Sequence, residues 1–259
     1  MIVTRSIIPN LLTLANLFCG FASLIQSSQH NFYEAGLFIL LAAVFDMLDG
    51  MVARLINSTS ELGVELDSLC DAVSFGVAPS FMLYMAILHQ IGDWGVLLAS
   101  FPALAGVYRL ARFNVQVSSF EDKVYFKGMP IPAGALTICS YIVFYSNSFI
   151  IPAEFKIHTA IGVSLLTSFA MISTIRFDHI PKPTRKDFKL RPFFFLFFSI
   201  SFVVILVSKG EYIFPILLFY ILLSVTRQVY AMFYTRFRKE IDDETIEQPS
   251  ESDPFEDDD

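Results

Sequence analysis

Residues 46–71 read DMLDGMVARLINSTSELGVELDSLCD, and they place four aspartates inside some of the most apolar sequence of the chain. The hydrophobic run at 37–45 leads directly into them, which predicts a helix. At 3.6 residues per turn, one face of this helix carries Asp46, Asp49, Gly50 and Ala53. A second helix after a short turn carries a similar face with a spacing of four: Gly63, Asp67 and Asp71. We therefore expect two acidic, glycine-bearing faces that oppose each other.

The cost of burying these carboxylates indicates what they do. Each ionisable residue within a membrane span costs roughly 2.5–3.5 kcal/mol on insertion scales, so four at mid-bilayer would cost on the order of 10 kcal/mol. We expect them nearer one end of their helices, around water or cations. Their ligand atoms are all oxygen, which favours Mg²⁺, Mn²⁺ or Ca²⁺ over zinc. Carboxylates around a pair of such ions are typical of phosphoryl transfer, whereas the alternative is polar contact or a proton relay between helices.

The composition is that of a polytopic membrane protein. Hydrophobic residues make up 54% of the 259 residues, the mean hydropathy is +0.58, and apolar runs of span length recur along the chain. An all-α membrane bundle of about eight transmembrane helices is predicted over one catalytic domain, residues 1–239. The predicted spans are Ile7–Gln26, Ala35–Leu55, Gly63–His89, Trp94–Val115, Ala133–Ile150, His158–Ile175, Arg191–Ser208 and Tyr212–Thr235. The acidic segment 240–259 is predicted to be a disordered cytoplasmic tail.

The charge distribution predicts the surroundings and the orientation of the chain. Eleven of the 25 acidic residues follow residue 239, so the body is net positive and suits an anionic lipid surface. The basic residues are scattered at helix ends, which does not favour nucleic-acid binding. With the N-terminus inside, 16 of the 18 basic residues face the cytoplasm. The protein is therefore expected in the cytoplasmic membrane, with both termini and the carboxylate site on the cytoplasmic side.

Two pairs of polar residues near span ends allow two interpretations each. Asn10 and Thr13 lie three apart at the start of the first span, where a helix-start turn with hydroxyl-to-backbone bonding is one explanation. Arg109 and Arg112 share a face at the end of the fourth span. They are either positive anchors at the membrane interface or a fork that holds a carboxylate or phosphate.

The motif Asp46-x2-Asp49-Gly50-x2-Ala53-Arg54-x8-Gly63-x3-Asp67-x3-Asp71 resembles the signature of the CDP-alcohol phosphatidyltransferases, and every specified position is filled. The resemblance implies two divalent cations on the CDP pyrophosphate, Mg²⁺ or Mn²⁺, with Ca²⁺ a third candidate. It implies that the four aspartates are their ligands and that Asp71 is also the general base. The implied CDP-binding residues are Asn10, Thr13, Gly50, Ala53, Arg54 and Gly63.

Two later segments, RLARFN at 109–114 and KGMPIPA at 127–133, resemble the phosphatidylserine synthase branch of that family. The likeness covers about residues 7–180 and implies transfer of a phosphatidyl group from CDP-diacylglycerol to L-serine with release of CMP. Arg109 or Arg112 would then pair with the serine carboxylate. Membrane lipids are further expected partners, while a monomer and a homodimer both stay open. The alternatives are another acceptor, glycerol 3-phosphate or inositol phosphate, and a cation-coupled transporter.

Overall fold

The computed structural model describes residues 7–56, 60–118, 128–146, 148–149, 151–175 and 192–246. Within these ranges all regular structure is helical, which confirms the predicted all-α class. The main helices are α1 (Ile7–Ser28), α2 (Phe32–Leu55), α3 (Glu61–Ala86), α4 (Asp93–Ser118), α5 (Ile131–Tyr145), α6 (Lys156–Ile172), α7 (Pro192–Val207) and α8 (Ile213–Ile246). Short 3₁₀ turns at Leu88–Ile91 and Ala153–Phe155 precede α4 and α6.

Six helices in the described part of the chain are long and apolar enough to cross a membrane. They are α1 to α4, the segment Ala153–Ile172 that includes α6, and the segment Ile213–Tyr230 within α8. The helices α5 and α7 are shorter, with 16 residues in α7, so the predicted count of eight is not confirmed. The helix α8 continues to Ile246, past the predicted start of the tail at residue 240, and 247–259 lie outside the described residues.

The first helix, α1, buries small and polar side chains and exposes large apolar ones, as expected of a helix in a membrane bundle. Its buried face carries Thr13, Asn16, Ser23 and Ser27, which are at most 4% exposed. Its opposite face exposes large apolar side chains: Leu11, Leu14, Phe18, Phe21 and Ile25. Lipid solvates an apolar surface, and small or polar residues are typical of contacts between membrane helices. The helix packs against both α2 and α3, so it lies beside each of the two acidic helices.

A change of helical geometry interrupts α3 directly after Asp71. Residues Ala72–Val77 form a π-helical turn, and α-helix resumes over Ala78–Ala86. Gly76 lies within the π-helical turn, and Pro79 lies in the first turn of the resumed α-helix, where proline is tolerated. Such π-turns are rare, and those that occur are frequently found at functional sites. This one begins at the residue after Asp71.

Candidate active site

The four aspartates lie at two depths relative to the connection between α2 and α3. At 1.5 Å per residue, Asp49 and Asp67 are each about 9 Å from the adjoining helix ends, Leu55 and Glu61. By the same measure, Asp46 and Asp71 lie about 14–15 Å from those ends. We call Asp49 and Asp67 the outer pair, and Asp46 and Asp71 the inner pair.

Three of these carboxylates meet closely enough for one cation to bridge them. Single oxygen atoms of Asp46, Asp49 and Asp67 all lie within 4.8 Å of one another. The Oδ1 atom of Asp67 is buried and has no hydrogen-bond partner. A buried carboxylate oxygen without a donor is expected to bind a ligand, and an all-oxygen donor set suits a hard divalent cation. The predicted opposition of the two acidic faces is therefore observed, and the residues fit a metal site.

Asp71 is not part of that close group of three. Its charge lies near enough to those of Asp46 and Asp67 for the carboxylates to interact. Its Oδ1 atom accepts a hydrogen bond from the Nδ2 atom of Asn16 at 3.0 Å. On the outer pair, Thr13 makes the equivalent contact, since its hydroxyl lies 2.7 Å from Asp49 Oδ2. The helix α1 therefore supplies one polar side chain to each depth of the site.

The Thr13 hydroxyl also reaches the carbonyl oxygen of Pro9, at 3.0 Å. The hydroxyl has one proton, so the helix-start bonding expected as one explanation and the contact to the carboxylate share that donor. Asn16 was not among the predicted site residues. The signal that identifies it is the spacing Asn10-x2-Thr13-x2-Asn16, a polar series within an otherwise apolar helix.

An open cavity of about 180 Å³ lies over the outer pair. Its lining includes Asp49, Asp67 and all six residues predicted for CDP binding, namely Asn10, Thr13, Gly50, Ala53, Arg54 and Gly63. Three elements thus contribute to one cavity, the start of α1, the end of α2 and the start of α3. Two carboxylates, a guanidinium and several neutral polar side chains thus line the same cavity.

Local structure at the start of α3 shapes the cavity wall. Ser60 caps the helix, because its Oγ accepts a hydrogen bond from the Gly63 backbone N–H at 3.0 Å. A Cβ at Gly63 would lie 3.1 Å from that same Oγ and 3.4 Å from Asn10 Oδ1. The glycine therefore permits a close approach between the helix cap and α1 on the cavity wall.

The two predicted arginines occupy different environments. The Arg112 side chain extends from α4 to the C-terminal end of α6, where its Nη1 donates to the Ile172 carbonyl oxygen at 2.8 Å. Its Nη2 lies 3.4 Å from the carbonyl oxygens of Met171 and Ser173. These are helix-terminal carbonyls that lack partners within the helix, so Arg112 caps α6.

Arg109 lies one turn earlier on α4 and is buried, at 8% exposed. Its Nε has no hydrogen-bond partner. Near the same end of α4, the side-chain amide of Asn114 donates to the hydroxyl of Ser68 at 2.9 Å. Ser68 follows Asp67 in the chain, so this hydrogen bond holds α4 against the acidic segment of α3. Arg109 is therefore a buried, incompletely paired guanidinium on a helix that packs against α3, whereas the Arg112 guanidinium is engaged with the end of α6.

Comparisons with known proteins agree with this geometry. The CDP-alcohol phosphatidyltransferase family profile matches residues 6–176. A Helicobacter pylori protein named CDP-diacylglycerol–serine O-phosphatidyltransferase is 31% identical over 89% of this chain and 94% of its own length. A Bacillus subtilis protein of the same name is 37% identical over 68% of this chain and 92% of its own. An archaetidylserine synthase of Methanothermobacter thermautotrophicus is 34% identical over 67% of this chain and 70% of its own. With its signature residues gathered at one end of the bundle, this chain belongs to the CDP-alcohol phosphatidyltransferase family.

Proposed function

We propose that this protein is a CDP-diacylglycerol–serine O-phosphatidyltransferase, which joins L-serine to the phosphatidyl group of CDP-diacylglycerol and releases CMP. The observation that carries this proposal is a cavity that is lined by all six predicted CDP-binding residues and opens onto the acidic cluster. The names of the similar bacterial proteins support serine as the acceptor. An acceptor with its own phosphate would need a denser basic pocket than Arg109 supplies here.

The proposed metal ligands are Asp46, Asp49, Asp67 and Asp71, which would hold two divalent cations, Mg²⁺ or Mn²⁺. The family depends on divalent cations in general terms, and the all-oxygen acidic cluster suits them. When bound, such cations neutralise charge on the pyrophosphate and on the departing CMP. The inner position of Asp71 and its fixed contact to Asn16 support a further role for this carboxylate.

The remaining steps fall to side chains of this chain. Thr13 and Asn10 frame the nucleotide, Gly50 and Ala53 leave space for it, and the Arg54 guanidinium lies over Gly50 at the cavity wall. Asp71 accepts the proton of the serine hydroxyl as the serine oxygen attacks the lipid-side phosphorus. The bond from that phosphorus to the CMP oxygen then breaks. Arg109 pairs with the serine carboxylate beside Asp71.

The membrane arrangement is also part of the proposal. We infer eight passes, in which α5 and α7 cross together with the six longer helices, and a catalytic domain over residues 1–239 followed by a cytoplasmic tail. The excess of basic residues on one side supports a cytoplasmic location for both termini and for the site. In that orientation CMP is released to the cytoplasm, while the acyl chains stay in the bilayer.

Metal dependence is tested by CMP release from CDP-diacylglycerol in detergent micelles. We expect release that requires serine, stops when EDTA is added, and returns with Mg²⁺ or Mn²⁺ in excess. Parallel reactions contain glycerol 3-phosphate, inositol phosphate or no acceptor. Unchanged CMP release in EDTA would contradict the metal assignment. CMP release with glycerol 3-phosphate but not with serine would identify glycerol 3-phosphate as the acceptor. Ion flux in sealed vesicles without CMP release would favour a transporter.

Gly50→Ala is expected to weaken substrate binding without harming the fold. A Cβ at this position comes no closer than 3.5 Å to Arg54 Nη1, an ordinary contact, but it enters the nucleotide cavity. We expect the KM for CDP-diacylglycerol to rise about tenfold, since one methylene in a binding pocket changes specificity by roughly that factor. The control is Gly162→Ala in α6, where a Cβ meets nothing within 4 Å. Equal KM values for the two variants would argue against a nucleotide at Gly50.

A further inference from the structure

We infer that Asn16 is a positioning residue that fixes the carboxylate of Asp71, an inference that rests on the proposed function. Asn16 is fully buried, at 0% exposed, and its Nδ2 donates to Asp71 Oδ1 at 3.0 Å. A carboxylate only accepts hydrogen bonds, so the amide nitrogen must be the atom that faces it. One oxygen of Asp71 is thereby held, which also fixes the direction of the other.

Asn16 is itself held in place through its backbone. Its carbonyl oxygen accepts a hydrogen bond from the Ser74 hydroxyl at 3.0 Å, and Ser74 lies in the π-helical turn that follows Asp71. One turn along α1, Gly20 allows this close approach, since a Cβ there would lie 2.8 Å from Ser74 Cα. The side chain and the carbonyl of Asn16 thus contact two points of α3 that lie three residues apart. These two contacts set the position of Asp71 relative to α1.

The hydrogen bonds that the Asn16 side-chain amide makes, and the one it lacks, distinguish a positioning role from simple helix packing. Its Oδ1 is buried and has no hydrogen-bond partner, so only the half of the amide that faces Asp71 is used. Buried side-chain polar atoms are generally paired, and polar residues that only join helices are expected to follow that rule. The fold thus keeps Asn16 Oδ1 as an unpaired acceptor on α1, while Asn16 Nδ2 donates to Asp71. This arrangement is expected where the orientation of the carboxylate matters more than the stability of the helix contact.

The test compares Asn16→Leu, which has similar volume and no hydrogen bond, with Asn16→Ala, which cannot clash. Both are made in the full-length protein in detergent, and Mn²⁺ binding is measured by EPR titration alongside kcat and KM. Partners that orient metal ligands typically contribute 10–100-fold to metal affinity or activity, so we expect losses of about that size in Mn²⁺ affinity and in kcat. At saturating Mn²⁺ the KM for CDP-diacylglycerol should stay within about twofold of wild type, because the proposed nucleotide contacts lie at the outer pair.

The matched control is Cys19→Ala, a buried change on the same helix that removes packing but no contact to a carboxylate. Ser74→Ala should reduce Mn²⁺ affinity in the same direction by a smaller factor. Wild-type Mn²⁺ affinity and kcat in either folded Asn16 variant would overturn the inference, as would equal losses in Cys19→Ala. If the Asn16 variants lose Mn²⁺ affinity but the wild type forms no CMP with serine, the proposed function fails while the positioning role stands.

Discussion

Asp71→Asn is expected to lower the rate of CMP formation by about 10²–10⁴-fold, the usual contribution of a general base. The amide has nearly the same shape as the carboxylate, and its oxygen still accepts the hydrogen bond from Asn16 Nδ2. The variant should therefore fold normally and bind CDP-diacylglycerol. What it loses is a basic oxygen for the proton of the serine hydroxyl and a negative charge at the inner pair. Single-turnover CMP release at saturating serine measures this loss directly.

The matched control for Asp71→Asn is Asp93→Asn, the same chemical change at an exposed position where α4 begins. Near wild-type turnover is expected there, together with an unchanged thermal unfolding midpoint. The other three aspartates give a second comparison. Because they form the close carboxylate group, Asp→Asn at Asp46, Asp49 or Asp67 should reduce turnover and should reduce Mn²⁺ affinity at least as strongly as Asp71→Asn does. Substantial CMP formation by Asp71→Asn would show that another group accepts the proton.

The acidic site was predictable because it depends on local periodicity. Intervals of three and four residues place carboxylates on one helix face whatever the helix packs against, so the faces containing Asp46 and Asp67 follow from spacing alone. The opposing arrangement followed from the short connection between α2 and α3, with helix ends at Leu55 and Glu61. Four of the six predicted CDP-binding residues, Gly50, Ala53, Arg54 and Gly63, belong to a motif whose positions are all filled, whereas Asn10 and Thr13 lie outside it. Helix class and most helix boundaries were likewise predictable from apolar run length.

Other features depend on tertiary neighbours, which periodicity does not encode. The role of Asn16 requires that α1 pack against both acidic helices, and nothing in the local sequence of α1 specifies that. The π-helical turn after Asp71 contains Ser74, which donates to the backbone of α1, and apolar run length does not predict such a turn. The number of crossings was uncertain for a different reason. Short apolar helices such as α7 satisfy the composition of a membrane span but not its length, so the described structure supports six crossings and leaves the predicted eight unconfirmed.

The two arginines on α4 illustrate this limit most clearly, because their spacing makes them equivalent and their surroundings do not. Arg112 donates to carbonyl oxygens at the end of α6, next to the point where the backbone N–H of Met129 donates to Ala170. Its side chain therefore joins α4 to α6. Arg109 is buried, carries an Nε without a partner and lies on the helix that packs against the π-helical turn after Asp71. A buried donor with unused hydrogen-bonding capacity on this helix is a candidate to bind an anionic group of the acceptor.

Arg109→Ala is accordingly expected to raise the KM for serine by about 10–100-fold, since a hydrogen bond to a charged group contributes roughly 1.5–3 kcal/mol. The KM for CDP-diacylglycerol should change little, because the cavity lining does not include Arg109. Arg109→Lys keeps the charge but loses the planar fork, so it should recover only part of the affinity.

Arg112→Ala is the matched comparison on the same face. It should lower the unfolding midpoint by removing the cap on α6, with no preference between the two substrates. A serine-selective defect in Arg112→Ala, with a normal serine KM in Arg109→Ala, would reverse these assignments and place the acceptor at the end of α6.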